Sequence, residues 1–455
     1  MRKTHLYLLL CFTMFVNAQN KELLYGFNGL PQAQLLNPSQ EMPYRMHIGF
    51  PALSNIHAAF GTTNFALEDL FLPDHIPFRV KIDRLIAKTK NTDYISINQR
   101  LELLSFGFAK DEDTYFSGGW YEEFDFISYM PKDMMDLVYY GNNPYPDRIF
   151  KASDINFKME LLGVLHFGVS KKINDNFCIG GRFKIYSSVL NVNSTHNEGT
   201  FTTIQGSNNI YTHLLSDTNI SVKTAGFATD KAPNIGSFLL GGSKGFGVDF
   251  GLTWHPLEQW TVTTSLVDLG VIFNKKDVKQ YNVTGSYTFT GFDLLYPGTS
   301  PNDYWGEMED QIDARIITED TATAYTTWRS SKIYSSVAYS FGQRRSGKCN
   351  CLVAGSGYMN EVGVQTFNIF RPKRPQYALT AYFKHQFGSF LTAKVAYTYD
   401  EYNPANLGLG LSLKLGSVNI YATMDNMLEL QDLTKSKAVS AMFGINILLK
   451  KRELY

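Results

Sequence analysis

The stretch Asn406–Asn426, NLGLGLSLKLGSVNIYATMDN, decides how this chain is read. Leu407, Leu409, Leu411, Leu413 and Leu415 occupy every second position, and Gly408, Gly410, Ser412, Lys414 and Gly416 stand between them. A period of two belongs to a strand with one oily face and one small or polar face. In a soluble sheet the oily face would be the core. In a lipid-embedded barrel it would be the outside.

The same rhythm runs through the chain. Val439, Ala441, Phe443, Ile445, Ile447 and Leu449 alternate with Ser440, Met442, Gly444, Asn446 and Leu448. Leu391, Ala393, Val395, Tyr397 and Tyr399 alternate with Thr392, Lys394, Ala396 and Thr398, and Tyr377 to Phe387 does the same around Thr380, Tyr382 and Lys384. Phe246, Val248, Phe250, Leu252 and Trp254 interleave with Gly247, Asp249, Gly251 and Thr253; Tyr281, Val283, Tyr287 and Phe289 alternate with Asn282, Thr284 and Thr288. Each run has about nine to eleven residues, the length at which a tilted strand crosses a bilayer. Sandwich strands are shorter, and lipid cannot satisfy an open sheet edge, so the oily parity is assigned to hydrocarbon.

Short turns such as Leu257-Glu258, Gly388-Ser389 and Gly416-Ser417 join some runs, while Asn191 to Ser243 and Gly291 to Trp328 make long polar connections. Pro131 to Tyr140 reads as a brief helix, and residues 65–85 as a place for another. The expected fold is all-β: one antiparallel transmembrane β-barrel of about 14 strands, within a range of roughly 12 to 16. Short helices sit in its loops, with a candidate N-terminal hatch. The expected organisation is a signal peptide at 1–18, an N-terminal hatch segment at 19–44 and the barrel at 45–455.

The ends and the composition agree with export. Arg2 and Lys3 precede the apolar run Leu6 to Val16, and Val16-Asn17-Ala18 offers a cleavage site before Gln19. No later apolar run is long enough to span a bilayer as a helix. Only 18% of the residues are charged and 14% are aromatic, a balance that suits a barrel with aromatic girdles. Lysine plus arginine and aspartate plus glutamate number 42 each. Losing Arg2 and Lys3 leaves a nearly neutral chain, which does not suggest nucleic acid as a partner. The expected location is a bacterial outer membrane.

Chemical motifs are scarce. His166 and His385 fall on strands and His255 precedes Pro256, with no nucleophile elbow, zinc motif or phosphate loop beside them. The glycines of Gly241 to Gly247 lead into a strand, not a helix. Cys178, Cys349 and Cys351 remain after the signal, an odd number without a histidine cluster, so no metal site is assigned. No enzymatic activity and no cofactor are expected.

The lumen-facing charge candidates are Arg182, Lys184, Asp249, Lys384, Lys394, Lys414 and Asp425, all on the polar parity. Two readings stand. They make a basic lumen that guides anionic solutes or pairs with a plug, or they pair internally with Glu160, Asp249, Asp268 or Asp425. Trp254, Trp260, Tyr397 and Tyr399 are expected in the lipid-facing girdle.

LYGFNGLPQAQLLNPS, ISYMPKDMMDLVYYGNN, LGVLHFGVSKKINDNFCIGGRFKIYSS, WTVTTSLVDLG and LGLGLSLKLGSVNIYATMDN together resemble an uncharacterised outer-membrane barrel family of Bacteroidota, catalogued as a domain of unknown function. The resemblance spans nearly the whole mature chain. At a greater distance it is similar to FadL-type transporters of hydrophobic compounds and to the PorV, PorQ and PorP/SprF barrels of type IX secretion and gliding. Asn37-Pro38-Ser39 is similar to the Asn-Pro-Ala near the start of FadL-type proteins, with Ser39 in place of alanine. The resemblance implies a lumenal hatch carrying Asn37 and Pro38, with an unstructured periplasmic tail as the alternative reading of residues 19–44. It also implies a passive channel or uptake barrel for a small hydrophobic or anionic solute, or a scaffold barrel with envelope protein partners. Outer-membrane lipid surrounds it in either case.

Overall fold

A computed structural model describes residues 23–206, 211–226, 236–290, 316–343, 357–402, 406–427 and 436–449. Alternation has produced one continuous antiparallel wall that closes on itself. Its fourteen strands are β1 (Met46–Gly49 and Ile56–Thr62), β2 (Tyr94–Ala109), β3 (Thr114–Tyr129), β4 (Asn156–Asn174), β5 (Phe177–Ser194), β6 (Ser243–Leu257) and β7 (Trp260–Asn274). They continue with β8 (Tyr325–Trp328 and Lys332–Gln343), β9 (Tyr358–Phe370), β10 (Pro375–Phe387), β11 (Leu391–Tyr399), β12 (Asn406–Leu415), β13 (Val418–Asp425) and β14 (Ala438–Leu449). Each strand pairs with its successor, and β14 closes on β1 through Ile48↔Ile447 and Ile56↔Phe443.

Two strands are interrupted. Between the halves of β1, residues 50–55 bulge, yet the seam stays bonded: the Phe50 amide donates to the Ile445 carbonyl and the Ile445 amide to Leu53. Ala52 there has φ of 57°. In β8, residues 329–331 break the ladder beside Asp268, whose φ is 62°. Both interruptions turn polar side chains inward, a usual role of bulges.

The two parities face different surroundings. Phe106, Phe183, Phe383 and Val395 are exposed on the outside and their sequence neighbours are buried; Phe116 and Phe250 are exposed as well. Trp254 and Trp260 stand outward at the rim of short turns, and Tyr397 and Tyr399 outward near the opposite rim. This is a wall whose apolar face meets hydrocarbon. No described helix is long and apolar enough to cross a membrane.

The long connections gather at one rim. They carry α1 (Leu67–Phe71) and α2 (Phe78–Lys88) after β1, and α3 (Lys132–Tyr140) after β3. The Tyr140 hydroxyl donates to Asp83 at 2.5 Å, tying α3 to α2. That hydrogen bond pushes its pKa up to about 12, so it remains a donor across ordinary pH. The run Tyr281–Phe289, counted above among the wall strands, lies elsewhere: Val278–Phe289 belongs to a ribbon with Glu198–Gln205, Tyr211–Ala225 and Ile316–Thr321. This ribbon joins the wall where Asn191 pairs with Ala225. Period two marks a strand but not the sheet it joins.

Candidate functional site

The interior of the barrel is occupied, not open. Residues 23–45 precede β1 and run inside the wall. Two glycines with positive φ, Gly26 at 66° and Gly29 at 93°, fold the segment back on itself, and Pro31 opens a single helical turn, Pro31–Leu35. Leu24, Tyr25, Phe27, Leu30, Ala33 and Leu36 pack with Val267, Tyr334, Phe367, Ile369, Ala378, Tyr421 and Met442 of the wall. Leu35 joins Tyr121, Leu162, Val164, Tyr186 and Ile272, and Leu23 joins Ala338, Tyr382 and Ala396. The Tyr25 ring stacks on Tyr334 with centroids 5.0 Å apart. Each large apolar side chain buried this way contributes about 1.5–3 kcal/mol.

Inward glycines explain the opening sequence. A methyl group at Gly408 would meet Leu23, and one at Gly410 would press on Phe27. The leucines of LGLGL face lipid and the glycines between them leave room for the segment inside. The Asn37-Pro38-Ser39 turn rests on a similar floor: a methyl at Gly180 would collide with the Pro38 backbone, and one at Gly251 with the Asn37 side chain. Asn37 Oδ1 accepts from the Ser39 amide and hydroxyl at 3.1 and 2.8 Å, and the Ser39 hydroxyl lies 2.8 Å from that of Thr253.

Wall cations hold the segment by its backbone. Lys394 Nζ donates to the Tyr25 carbonyl at 2.7 Å, Arg182 to the Gln34 carbonyl at 2.6 Å, and Lys384 to the Gly26 carbonyl at 3.4 Å. The Ser265 hydroxyl donates to the Leu36 carbonyl at 2.7 Å, and Gln32 reaches Glu102 and Asn446. Carbonyls bent out of regular structure need donors when buried.

Above this segment, toward the loop rim, lies a continuous buried ion network. Arg182 meets Asp249 at 3.3 Å, and Lys184 bridges Asp249 at 2.8 Å and Asp268 at 2.6 Å. Lys332 also holds Asp268, while Arg329 reaches Glu123 and Glu160, with Arg100 on Glu123 and Lys158 on Glu160. Because Arg329, in the break of β8, and Lys332 on β8 lie across from the two glutamates on β3 and β4, their pairs with Glu123 and Glu160 span the lumen. Arg371, just past β9, pairs with Asp125 on β3 in the same way at 2.5 Å.

Of the remaining positions singled out above, Lys384 and Lys394 face each other in register. Lys384 pairs with Glu361 at 2.7 Å, and the Lys394 ammonium lies over the Tyr382 ring. Lys414 stands apart near the turn rim, over the Tyr44 ring. Asp425 is buried at the top of β13, against Gly408. Cys178 is buried with its sulfur 3.3 Å from the Ser170 hydroxyl; Cys349 and Cys351 fall outside the described residues. Among the described residues no group of three or more histidine, cysteine or acidic side chains is arranged for a metal ion.

Arg100, Glu123, Asp125, Arg329, Lys332, Glu361 and Arg371 were not anticipated. Arg329 and Arg371 lie outside regular strands, where alternation says nothing. Large aromatics on the polar parity (Tyr382 and Tyr421) were a visible signal of a filled lumen.

Comparison with solved structures returns barrels of similar extent. The Ralstonia pickettii toluene transporter TbuX is 10% identical at a TM-score of 0.43, with 94% of this chain and 99% of that chain covered. A Pseudomonas aeruginosa FadL homologue is 11% identical at 0.44, covering 96% and 100%. The Pseudomonas putida toluene transporter TodX is 8% identical at 0.42, covering 95% and 97%. Likeness this loose carries no activity across. No curated protein sequence is significantly similar to the chain. Residues 38–425, from the Asn-Pro-Ser turn to the end of β13, match the profile of the family of unknown function DUF5723, and the chain belongs to that family.

Proposed function

We propose that this protein is a non-enzymatic outer-membrane barrel of the uptake class, exported with a cleaved signal at residues 1–18 and closed as it stands. In this reading residues 19–44 act as a hatch, and a small hydrophobic or anionic solute passes only when they shift. The carrying observation is the nature of the seal. The turn-rim half of the lumen is filled by a terminal segment, not by wall strands, and Lys394, Lys384 and Arg182 grip that segment through backbone carbonyls. Such bonds hold position without demanding particular side chains. A narrow polar crevice of about 20 Å³, lined by Gly26, Gln40, Thr263, Ser336 and Glu361, reaches in beside the segment from the turn rim.

Conductance across a planar bilayer tests this. The full-length protein should conduct little, and deletion of residues 23–44 should raise conductance, provided the shortened barrel keeps its heat-dependent gel mobility. A folded deletion barrel as silent as the parent would overturn it.

One observation favours a second reading, a scaffold barrel serving other envelope proteins. Arg329 and Arg371 tie opposite walls together above the segment, and those pairs would also have to open for transport. On that reading, crosslinking in cells recovers a stoichiometric envelope partner and the deletion barrel stays closed.

A further inference from the structure

The chain enters β6 from outside the wall. Leu162 and Val164 of β4 face the lumen, so Gly163 between them faces out. Residues 237–241 lean on it there: the Phe238 carbonyl stands where a methyl on Gly163 would go. The Gly242 amide then donates to the Ser187 hydroxyl of β5 at 2.9 Å. The single helical turn Ser237–Gly241 therefore forms a ledge on the outer surface, with Leu239 and Leu240 exposed on it.

Strand β6 sets the depth. Ser243 and Asp249 are buried on its inner face, while Lys244, Phe246, Phe250 and Trp254 are exposed on its outer face. Trp254 belongs to the girdle at the turn rim, and Lys244 lies ten residues from it along the same face. At about 3.3 Å per residue and a tilt of roughly 40°, this spacing is about 25 Å, the height of the apolar band. Lys244 thus stands at the headgroup level of the opposite leaflet, on the loop-rim side.

Two more lysines are drawn to the same place. The amides of Lys275 and Lys276, just past β7, donate to the Ser243 hydroxyl at 3.1 and 3.2 Å, and Lys276 Nζ donates to the Gly241 carbonyl. All three lysines are exposed, and the charge of Lys276 acts on Lys244. Asp277 beside them offsets one of the three charges. The outward carboxyl of Glu122 is three strands away, beyond the ledge. Phe273, in register with Lys244, and Phe246 are exposed on the same face with ring centroids 5.9 Å apart. Lysines held at the edge of an apolar surface keep their stems on it and offer their ammonium groups to anionic headgroups.

We propose that the ledge and its lysines hold an anionic, phosphate-bearing lipid of the loop-rim leaflet. Its phosphate oxygens accept from Lys244, Lys275 and Lys276, and its acyl chains lie over Phe246, Phe273 and Leu240. This rests on the membrane placement proposed above and not on transport.

Native mass spectrometry of the full-length protein tests it, after lipid is removed by exchange into non-ionic detergent. Diphosphoryl lipid A should bind at least tenfold more tightly than phosphatidylcholine, and inorganic phosphate should not displace it. Lys244→Gln/Lys275→Gln/Lys276→Gln should weaken lipid A roughly a hundredfold, at about fivefold for each lysine. Lys244→Glu, which removes no hydrogen bond of the fold, should weaken it tenfold or more. Lys171→Gln, on the outer face at the turn rim, should leave it unchanged. Equal affinity for the two lipids, or lipid A binding that survives the triple variant, would overturn the proposal. So would an equal loss in Lys171→Gln, or displacement of the lipid by inorganic phosphate. In each case, heat-dependent gel mobility in the parent would leave the barrel reading standing.

Discussion

A glycine on the inward face of a strand marks where another part of the chain stands. Gly408 and Gly410 make room for Leu23 and Phe27, and Gly180 for the Pro38 backbone. Gly180→Val should therefore displace the Asn37-Pro38-Ser39 turn while leaving the outer face unchanged. Limited proteolysis should show cleavage between residues 36 and 45 in the variant but not in the parent. Destabilisation of about 1–3 kcal/mol, the usual range for overpacking, should lower the temperature of the gel-mobility transition. The outward leucines at Leu407 to Leu415 were legible in the sequence because lipid imposes a period of two. What the intervening glycines accommodate was not, because the contacts come from hundreds of residues away.

At the scale of elements, bulges and ion pairs do what alternation cannot describe. The interruption of β8 places Arg329 and Lys332 on one side of the lumen to meet Glu123 and Glu160 from the other, while Lys332 also holds Asp268 on the neighbouring β7. Lys184 sits between Asp249 and Asp268 at 1% exposure of its side chain. Removing its charge with Lys184→Met leaves Asp249 with Arg182 and Asp268 with Lys332, so the loss should stay below the roughly 3–5 kcal/mol of a fully broken buried pair. Thermal denaturation in detergent should show this loss, and Lys184→Arg should recover part of it. Arg182, Lys184 and Asp249 were readable as inward because their strands keep strict register. Arg329 and Arg371 were not, since each stands where a strand stops. The Tyr281 run shows the opposite failure, a regular strand rhythm that builds a loop ribbon.

For the whole molecule, the sorting of connections by length sets an orientation. Helices α1 to α3 and the ribbon share one rim, while the turns after β4, β6, β10 and β12 share the other with the start of β1 and the end of β14. If the long-loop rim faces outward from the cell, a peptide tag inserted at Asn143-Pro144 should bind antibody on intact cells. The same tag at Gly416-Ser417 should bind only after permeabilisation. Reversed labelling would invert the barrel without altering its fold. Strand number and closure were legible from repeated alternation, whereas a filled lumen depends on the three-dimensional meeting of both ends of the chain.

That meeting braces the seam. The seam is formed by the first and last strands, β1 and β14, and the residues just before β1 lie inside the ring that this seam completes. Gln32 bonds to Asn446, on the strand that finishes the ring. The contents of the cylinder therefore help to fasten its last strand, and a barrel without residues 23–44 should seal less firmly along that edge.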